Sequence, residues 1–597
     1  MKLFSFDKVE LKSGFLKDKQ ELNRKITINA VYDRFYETGR IGAFKCNWRT
    51  GDENKPHFFW DSDVAKWMEG AAYIIKKNPD KALEEKIEEI IDNIEKNQRN
   101  DGYINIYFMT IDPVNRFKNR DWHELYCAGH LLEAAVAYAE ATGKDRFINI
   151  MEIYIDYIIK VFTEEKSAAF TTPGHEEIEL ALVKAYRFTG KKKYLDLAAF
   201  FINERGVRED ETTEYNQSYA PVRQQKEALG HSVRAMYLYT AMADLAYELN
   251  DKELNEACHT LYHDVVDKKM YITGGLGSTY VGEAFTKPYD LPNEEAYTET
   301  CAGIGLMFFA KRMMMLDNDA SYADTIERVF YNGVMAGLSV GGDSFFYENP
   351  LEITLMNHFS NMYGTKRYPI TQRLKCFGCS CCPPNVNRLL PVLGEYVYGY
   401  ENDTLYINQF TDSTLSDGGV SCEMTTKYPL DGKVCIKASG VKKVAVRIPS
   451  WCEGFEMNKA YTMENGYAVV ENDGEITVSF DMTPFAVCAN VGVIKDIGKL
   501  CIQAGPVVYC AESVDNGENL HALALDTEFG YEVKYDEFSG LNSLVIDGYR
   551  VENTTDKLYA RASKDGAVKK PVKIKMIPYY SFANRGETDM LTWFNRK

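Results

Sequence analysis

A chain of 597 residues with 45% apolar side chains is too long for one hydrophobic core and apolar enough to build several, so roughly two to four domains are expected. The formal net charge of -18 repels a phosphate backbone and no Lys/Arg-rich run offsets it, which sets nucleic acid aside as a partner. Met1-Lys2-Leu3-Phe4-Ser5-Phe6-Asp7 meets charge before an apolar signal core can form, and no stretch approaches the length of a membrane span. A cytoplasmic protein without a membrane partner is the expectation.

From about residue 60 to 395 the apolar spacing is helical. Trp67, Ala71, Ile74 and Ile75 share one face, as do Leu83, Ile87, Ile90, Ile91 and Ile94, and Ile178, Ala181, Leu182 and Ala185 repeat the pattern. Short polar breaks separate the helices at Asn78-Pro79-Asp80-Lys81, Thr142-Gly143-Lys144-Asp145, Thr189-Gly190-Lys191-Lys192, Asn250-Asp251-Lys252 and Asp317-Asn318-Asp319. Breaks at intervals of about fifty to seventy residues imply repeated helix pairs that stack or close into a ring. An (α/α)6 barrel over residues 1–400 is predicted.

After residue 400 the period becomes two: Leu405 and Ile407; Val444, Val446 and Ile448; Ile476, Val478 and Phe480; Val572, Ile574 and Met576. Many short strands without intervening helices predict two antiparallel β-sandwich domains, 401–490 and 491–597. Their free edges offer surfaces for a homodimer.

Four of the fourteen cysteines fall in Cys376-Phe377-Gly378-Cys379-Ser380-Cys381-Cys382-Pro383-Pro384-Asn385. Bunched thiols in a reducing compartment point to metal rather than disulfides, and thiolates suit zinc. A structural zinc knuckle made of these four thiols alone and a catalytic site that recruits a further ligand both fit. Thr298-Glu299-Thr300-Cys301 offers a carboxylate and a thiol two residues apart. Such a pair faces different ways inside a helix, so joint ligation requires a helix end or an irregular turn; the alternative is a helix-capping Glu299 followed by a core Cys301 that bind no metal. Gly274-Gly275-Leu276-Gly277-Ser278-Thr279 lacks the ending of a phosphate loop and reads as a flexible turn. It leads to Gly282-Glu283-Ala284-Phe285, where Glu283 is either a general acid displayed in a cleft or a solvated loop residue. His123, His130, His175 and His231 all lie near helix starts, where they could share a polar pocket or each serve as a hydrogen-bonded structural histidine.

These segments, with Phe59-Trp60-Asp61-Ser62-Asp63-Val64-Ala65-Lys66-Trp67, His123-Glu124-Leu125-Tyr126-Cys127-Ala128-Gly129-His130 and Cys381-Cys382-Pro383-Pro384-Asn385, resemble glycoside hydrolase family 127, the β-L-arabinofuranosidases. The likeness continues through Arg447-Ile448-Pro449-Ser450-Trp451, Gly505-Pro506-Val507-Val508-Tyr509 and Ile577-Pro578-Tyr579-Tyr580. The resemblance implies a Zn2+ ion held by Glu299, Cys301, Cys381 and Cys382, with Cys381 as nucleophile and Glu283 as acid/base in a retaining hydrolysis of a small glycoside. It also implies that His123, His175, His231, Glu327 and Tyr347 surround the sugar. One departure concerns Cys376, near which the resemblance implies an aromatic residue, and Cys379 adds a thiol beside the expected ligands. Either sulfur could compete for zinc or form a disulfide on oxidation. Three other outcomes stay open: a relative acting on another pectin-derived sugar, a sugar-active barrel enzyme with purely structural zinc, and a carbohydrate-binding scaffold without catalysis.

Overall fold

Five helix pairs dominate the computed structural model, which describes residues 1–359, 367–561 and 566–597. They are Trp60–Lys77 with Lys81–Asn97, Glu124–Thr142 with Arg146–Ile159, Ile178–Thr189 with Lys192–Glu204, Ser232–Leu249 with Lys252–Lys268, and Thr300–Leu316 with Ala320–Arg328. The first helix of each pair is buried on most of its faces; Ser232–Leu249, for example, is buried from Ser232 through Ala246. The second shows an amphipathic stripe, as in Lys81–Asn97, which buries only Leu83, Ile87, Ile90, Ile91 and Ile94. That difference sorts inner helices from outer ones.

The polar breaks do local work. Asp80 accepts from Leu83 N–H at 3.0 Å and Asp251 from Leu254 N–H at 3.0 Å, capping outer helices, while Gly143 and Gly190 end inner helices at φ of 72° and 70°. Each inner helix touches the next in chain order, and Cys382–Leu389 touches both Thr300–Leu316 and Trp60–Lys77, which closes the circuit. Glycine permits the tightest of these approaches: a Cβ at Gly70 would sit 2.7 Å from the Asn387 carbonyl oxygen, and one at Gly129 2.8 Å from Ile178 Cα.

Beyond the helices the chain is rich in β-sheet. Among the described residues two sheets have six strands each, and a third has ten. The N-terminus departs from the predicted division at residue 400. Lys2–Leu3 pairs with Tyr398–Glu401, and Val9–Leu11 pairs with Ser413–Asp417, so the first eleven residues are built into the two six-stranded sheets. Strand Glu352–Ile353 likewise joins the ten-stranded sheet through Met590–Leu591. The third sheet already begins at Phe485–Val487, ahead of the predicted 491. The pairing is mostly antiparallel, but Thr404–Ile407 runs parallel to Lys443–Arg447, and Leu523–Leu525 parallel to Phe594–Arg596. Among the described residues no helix is long and apolar enough to cross a membrane.

Candidate active site

The N-terminal ends of the six inner helices face one cavity of about 240 Å3. Phe58, Phe59, Ser62 and Asp63 come from the start of Trp60–Lys77, His123 and Tyr126 from Glu124–Thr142, and His175 from just ahead of Ile178–Thr189. His231 and Arg234 come from Ser232–Leu249, Glu299 and Cys301 from Thr300–Leu316, and Cys381 from Cys382–Leu389. Helix N-termini carry unpaired N–H groups and partial positive charge, so six of them favour carboxylates and thiolates at this end. Tyr215, Glu283, Tyr347 and Cys379 complete the wall from loops.

Glu299 is the N-cap of its helix, with φ -61° and ψ 134°, and this resolves the two-residue spacing from Cys301. Thr298 just before it has φ 38°, a conformation a β-branched residue adopts only when its surroundings impose it. Asn349 supplies the restraint: its Nδ2 donates to Thr298 O and to Thr300 Oγ1, both at 3.0 Å, while Thr298 Oγ1 donates back to Asn349 O. Cys381 caps the helix Cys382–Leu389, whose first turn accepts Pro383 and Pro384 because their missing N–H groups have no helical partner there.

Three sulfurs and a carboxylate thereby converge. Cys301 Sγ lies 3.2 Å from Cys382 Sγ and 3.6 Å from Cys381 Sγ, and the last two are 3.8 Å apart. Glu299 Oε1 stands 3.6 Å from Cys381 Sγ and 3.8 Å from Cys382 Sγ. A tetrahedral zinc with ordinary ligand bonds separates two sulfurs by about 3.8 Å and a sulfur from an oxygen by about 3.6 Å. The donor set fits that ion in both type and spacing. Burial, then the Cys381 and Glu283 charges, push the Glu299 carboxyl well above its usual range, and among the described residues its buried Oε2 has no hydrogen-bond partner. Hydrogen bonds with Cys301, then Cys379 and Cys382, hold the Cys381 thiol well below its usual range against the effect of burial.

Glu283 sits at φ 54° in the turn after Gly282, directed into the cavity by a bridge between Ala284 and His231. One of its carboxylate oxygens is within 4.8 Å of a Glu299 oxygen. His231 Nδ1 faces the backbone N–H of Val233 at 3.2 Å, so that nitrogen is the acceptor and Nε2 carries the proton. Nε2 then donates to Glu283 Oε2 at 2.8 Å. Burial works to raise the Glu283 carboxyl, but the hydrogen bond from His231 leads the effects that outweigh it, and the net shift is downward.

His123 and His175 use Nδ1 toward the carbonyl oxygens of Asp121, at 2.8 Å, and Glu176, at 3.0 Å, leaving Nε2 as an acceptor. Burial keeps both neutral, pushing His123 down to about 3 and His175 well below its usual range. Tyr347 Oη lies 3.4 Å from Cys381 Sγ.

Of the residues singled out from sequence, Cys382 belongs to the sulfur cluster but is buried behind the cavity wall, and Glu327 is elsewhere. Glu327 is a correction: its oxygens are taken by Tyr428 Oη at 2.6 Å, Arg447 Nη2 at 2.6 Å and Trp451 Nε1 at 3.0 Å, at the junction of an outer helix with the sheets. His130 also lies apart, one helical turn below Tyr126 and 3.0 Å from Glu177. Cys376 turns toward Ser380 Oγ at 3.3 Å and stays out of the cluster. Phe58, Asp63, Tyr126 and Arg234 line the cavity without having stood out in the sequence, although most lie inside or beside the quoted motifs; Tyr215 has no signal at all.

The family model described as the β-L-arabinofuranosidase GH127 catalytic domain matches residues 8–395, and that of the family 127 C-terminal domain matches residues 484–595. A non-reducing end β-L-arabinofuranosidase of Bifidobacterium longum subsp. longum is 33% identical, over 91% of this chain and 90% of its own. The solved structure of a GH127 β-L-arabinofuranosidase from Geobacillus stearothermophilus T6 superposes with a TM-score of 0.92 at 38% identity, covering 99% of this chain and 100% of that one. A second solved GH127 β-arabinofuranosidase gives a TM-score of 0.90 at 33% identity, over 100% and 98% of the two chains.

Proposed function

The chain belongs to glycoside hydrolase family 127, and from that membership we propose that it is a retaining β-L-arabinofuranosidase in which Cys381 is the nucleophile and Glu283 the acid/base. We read the closed circuit of helices as an (α/α)6 barrel and the sheets that follow as β-sandwich domains. The observation that carries the chemistry is the spacing of Glu299, Cys301, Cys381 and Cys382, which suits one zinc ion. Zinc held there supplies positive charge that keeps the thiols ionised near neutral pH.

Cys381 reaches the cavity from the rim of the cluster, so its sulfur can meet an anomeric carbon. In the first half-reaction Sγ forms a bond to that carbon while the glycosidic C–O bond breaks and Glu283 gives a proton to the departing oxygen. In the second, Glu283 takes a proton from water, the water oxygen bonds to the anomeric carbon, and the C–S bond breaks to return the thiolate. Two inversions leave the configuration retained. His123 and His175 present neutral Nε2 acceptors to sugar hydroxyls, and the Phe58 and Phe59 rings line the same wall. We place the protein in a reducing compartment such as the cytoplasm, where bunched thiols stay available to a metal.

Turnover of a synthetic aryl β-L-arabinofuranoside, with metal content measured on the same sample, tests the proposal. We expect about one zinc per chain, loss of activity on chelation and recovery with zinc. A fully active preparation that contains no zinc would end it.

His231 provides a second check. Because its Nε2–H bond to Glu283 lowers the carboxyl, the acid form is lost at lower pH than it would be otherwise. His231→Gln should therefore move the alkaline limb of the kcat/KM profile to higher pH while lowering its maximum by roughly 10- to 100-fold. A limb that stays in place would show that Glu283 does not set it.

A further inference from the structure

Lys66 is completely buried in the middle of helix Trp60–Lys77, yet among the described residues no carboxylate lies within salt-bridge distance of its ammonium. The other cations of this region are committed. Arg40 pairs with Asp63 at 2.9 Å, Arg388 with Glu69 at 3.0 Å and with Glu133, and Arg234 stands 3.7 Å from Asp121. Lys66 Nζ donates to Tyr126 Oη at 2.6 Å, and Tyr126 lines the catalytic cavity. An ammonium taken out of water without an anion is strongly disfavoured, so such a residue either gives up its proton or has negative charge facing it.

Cys301 and Cys381, which line the same cavity as Tyr126, are the sulfurs placed to provide that charge. Burial works against the charged form of Lys66, but the charges of Cys381 and Cys301 overcome it, so its net shift is upward. Three thiolates and one carboxylate carry four negative charges, and a zinc ion supplies only two positive ones. A centre of that composition keeps two negative charges inside the protein, where low polarisability makes them costly unless a cation is fixed nearby.

We propose that Lys66 is the counter-cation of the metal–thiolate centre: a positioning residue that touches neither sugar nor metal, but whose fixed charge lets all three cysteines bind as thiolates. Tyr126 holds the ammonium in place through its hydroxyl and ties it to the cavity wall. This inference rests on the reading of the cluster as a zinc site.

Zinc affinity, measured by competition with a chelating dye, tests it. Lys66→Met should weaken zinc binding by roughly tenfold or more, the range expected for a partner outside the ligand shell. In a Cys381→Ser background, which removes one thiolate, the same substitution should cost less than about threefold, because less charge remains to be balanced. Should Lys66→Met alone fail to fold, the double variant is expected to recover folding for the same reason. Equal affinity of wild type and Lys66→Met, an equal loss in both backgrounds, or a double variant that fails as badly as the single one would each overturn the counter-cation role. A wild-type protein that binds no zinc would instead overturn the metal site on which it rests.

Discussion

Cys381→Ala is expected to lower kcat by on the order of 10^4-fold or more, the scale set by removal of a covalent nucleophile. Loss of a metal ligand alone could mimic part of that effect, so Cys301→Ala and Cys382→Ala are the controls that matter. Each of the three variants keeps three ligands of the cluster. Cys381 lines the cavity and is partly exposed; Cys382 is 1% exposed and does not line the cavity, and Cys301, although it lines the cavity, is also only 1% exposed. With excess zinc the Cys301 and Cys382 variants should regain measurable turnover, whereas Cys381→Ala should not. Mass spectrometry of wild-type enzyme trapped with a slow substrate should place one pentosyl unit on the peptide carrying Cys381. An alanine variant at 381 that keeps zinc and turns over normally would transfer the reaction to carboxylates alone and make the zinc structural.

Much of this site is legible in the sequence because its parts carry chemical signatures at short range. A bunched run of thiols announces a soft-metal site, whereas the two prolines after it argue locally for extended backbone, and only the structure shows them in the first turn of the helix Cys382–Leu389. The spacing of Glu299 and Cys301 is ambiguous for a definite reason: two residues apart is wrong for a helix interior and right for a cap. Only the surroundings of Thr298 and Asn349 decide between them. The helix pairs announce themselves through outer amphipathic faces such as Leu83 to Ile94, and through the caps in the polar breaks.

The features with no sequence signature share one property, dependence on contacts far along the chain. Strands of two or three residues, such as Lys2–Leu3 and Val9–Leu11, have no period to detect and exist because residues near 400 and 415 pair with them. Lys66 reads locally as the polar position of an amphipathic helix. The helix is instead buried on most faces, and the charge proposed to face Lys66 comes from a sulfur cluster assembled from residues more than two hundred positions away.

Glu327 makes the same point and yields the second large effect. Placed near the sugar by resemblance, it is 2% exposed on the outer helix Ala320–Arg328 and accepts from three side chains of the sheet region. Arg447, fully buried, also donates to Asn408 O at 2.7 Å and to Asp324, so the pair is a strut between helices and sheets. Glu327→Ala removes the carboxylate and leaves a buried guanidinium short of charge, with Tyr428 Oη and Trp451 Nε1 unpaired. A loss of about 3–5 kcal/mol of stability is the scale for breaking a buried ion pair on one side. In a chain of this size the loss should appear as a lowered first unfolding midpoint and faster proteolysis between the helical and sheet regions, not as one two-state shift. The folded fraction should retain kcat/KM within roughly threefold, since the residue stands outside the cavity. An unchanged midpoint together with a large fall in kcat/KM would return Glu327 to the sugar and undo the assignment of the strut.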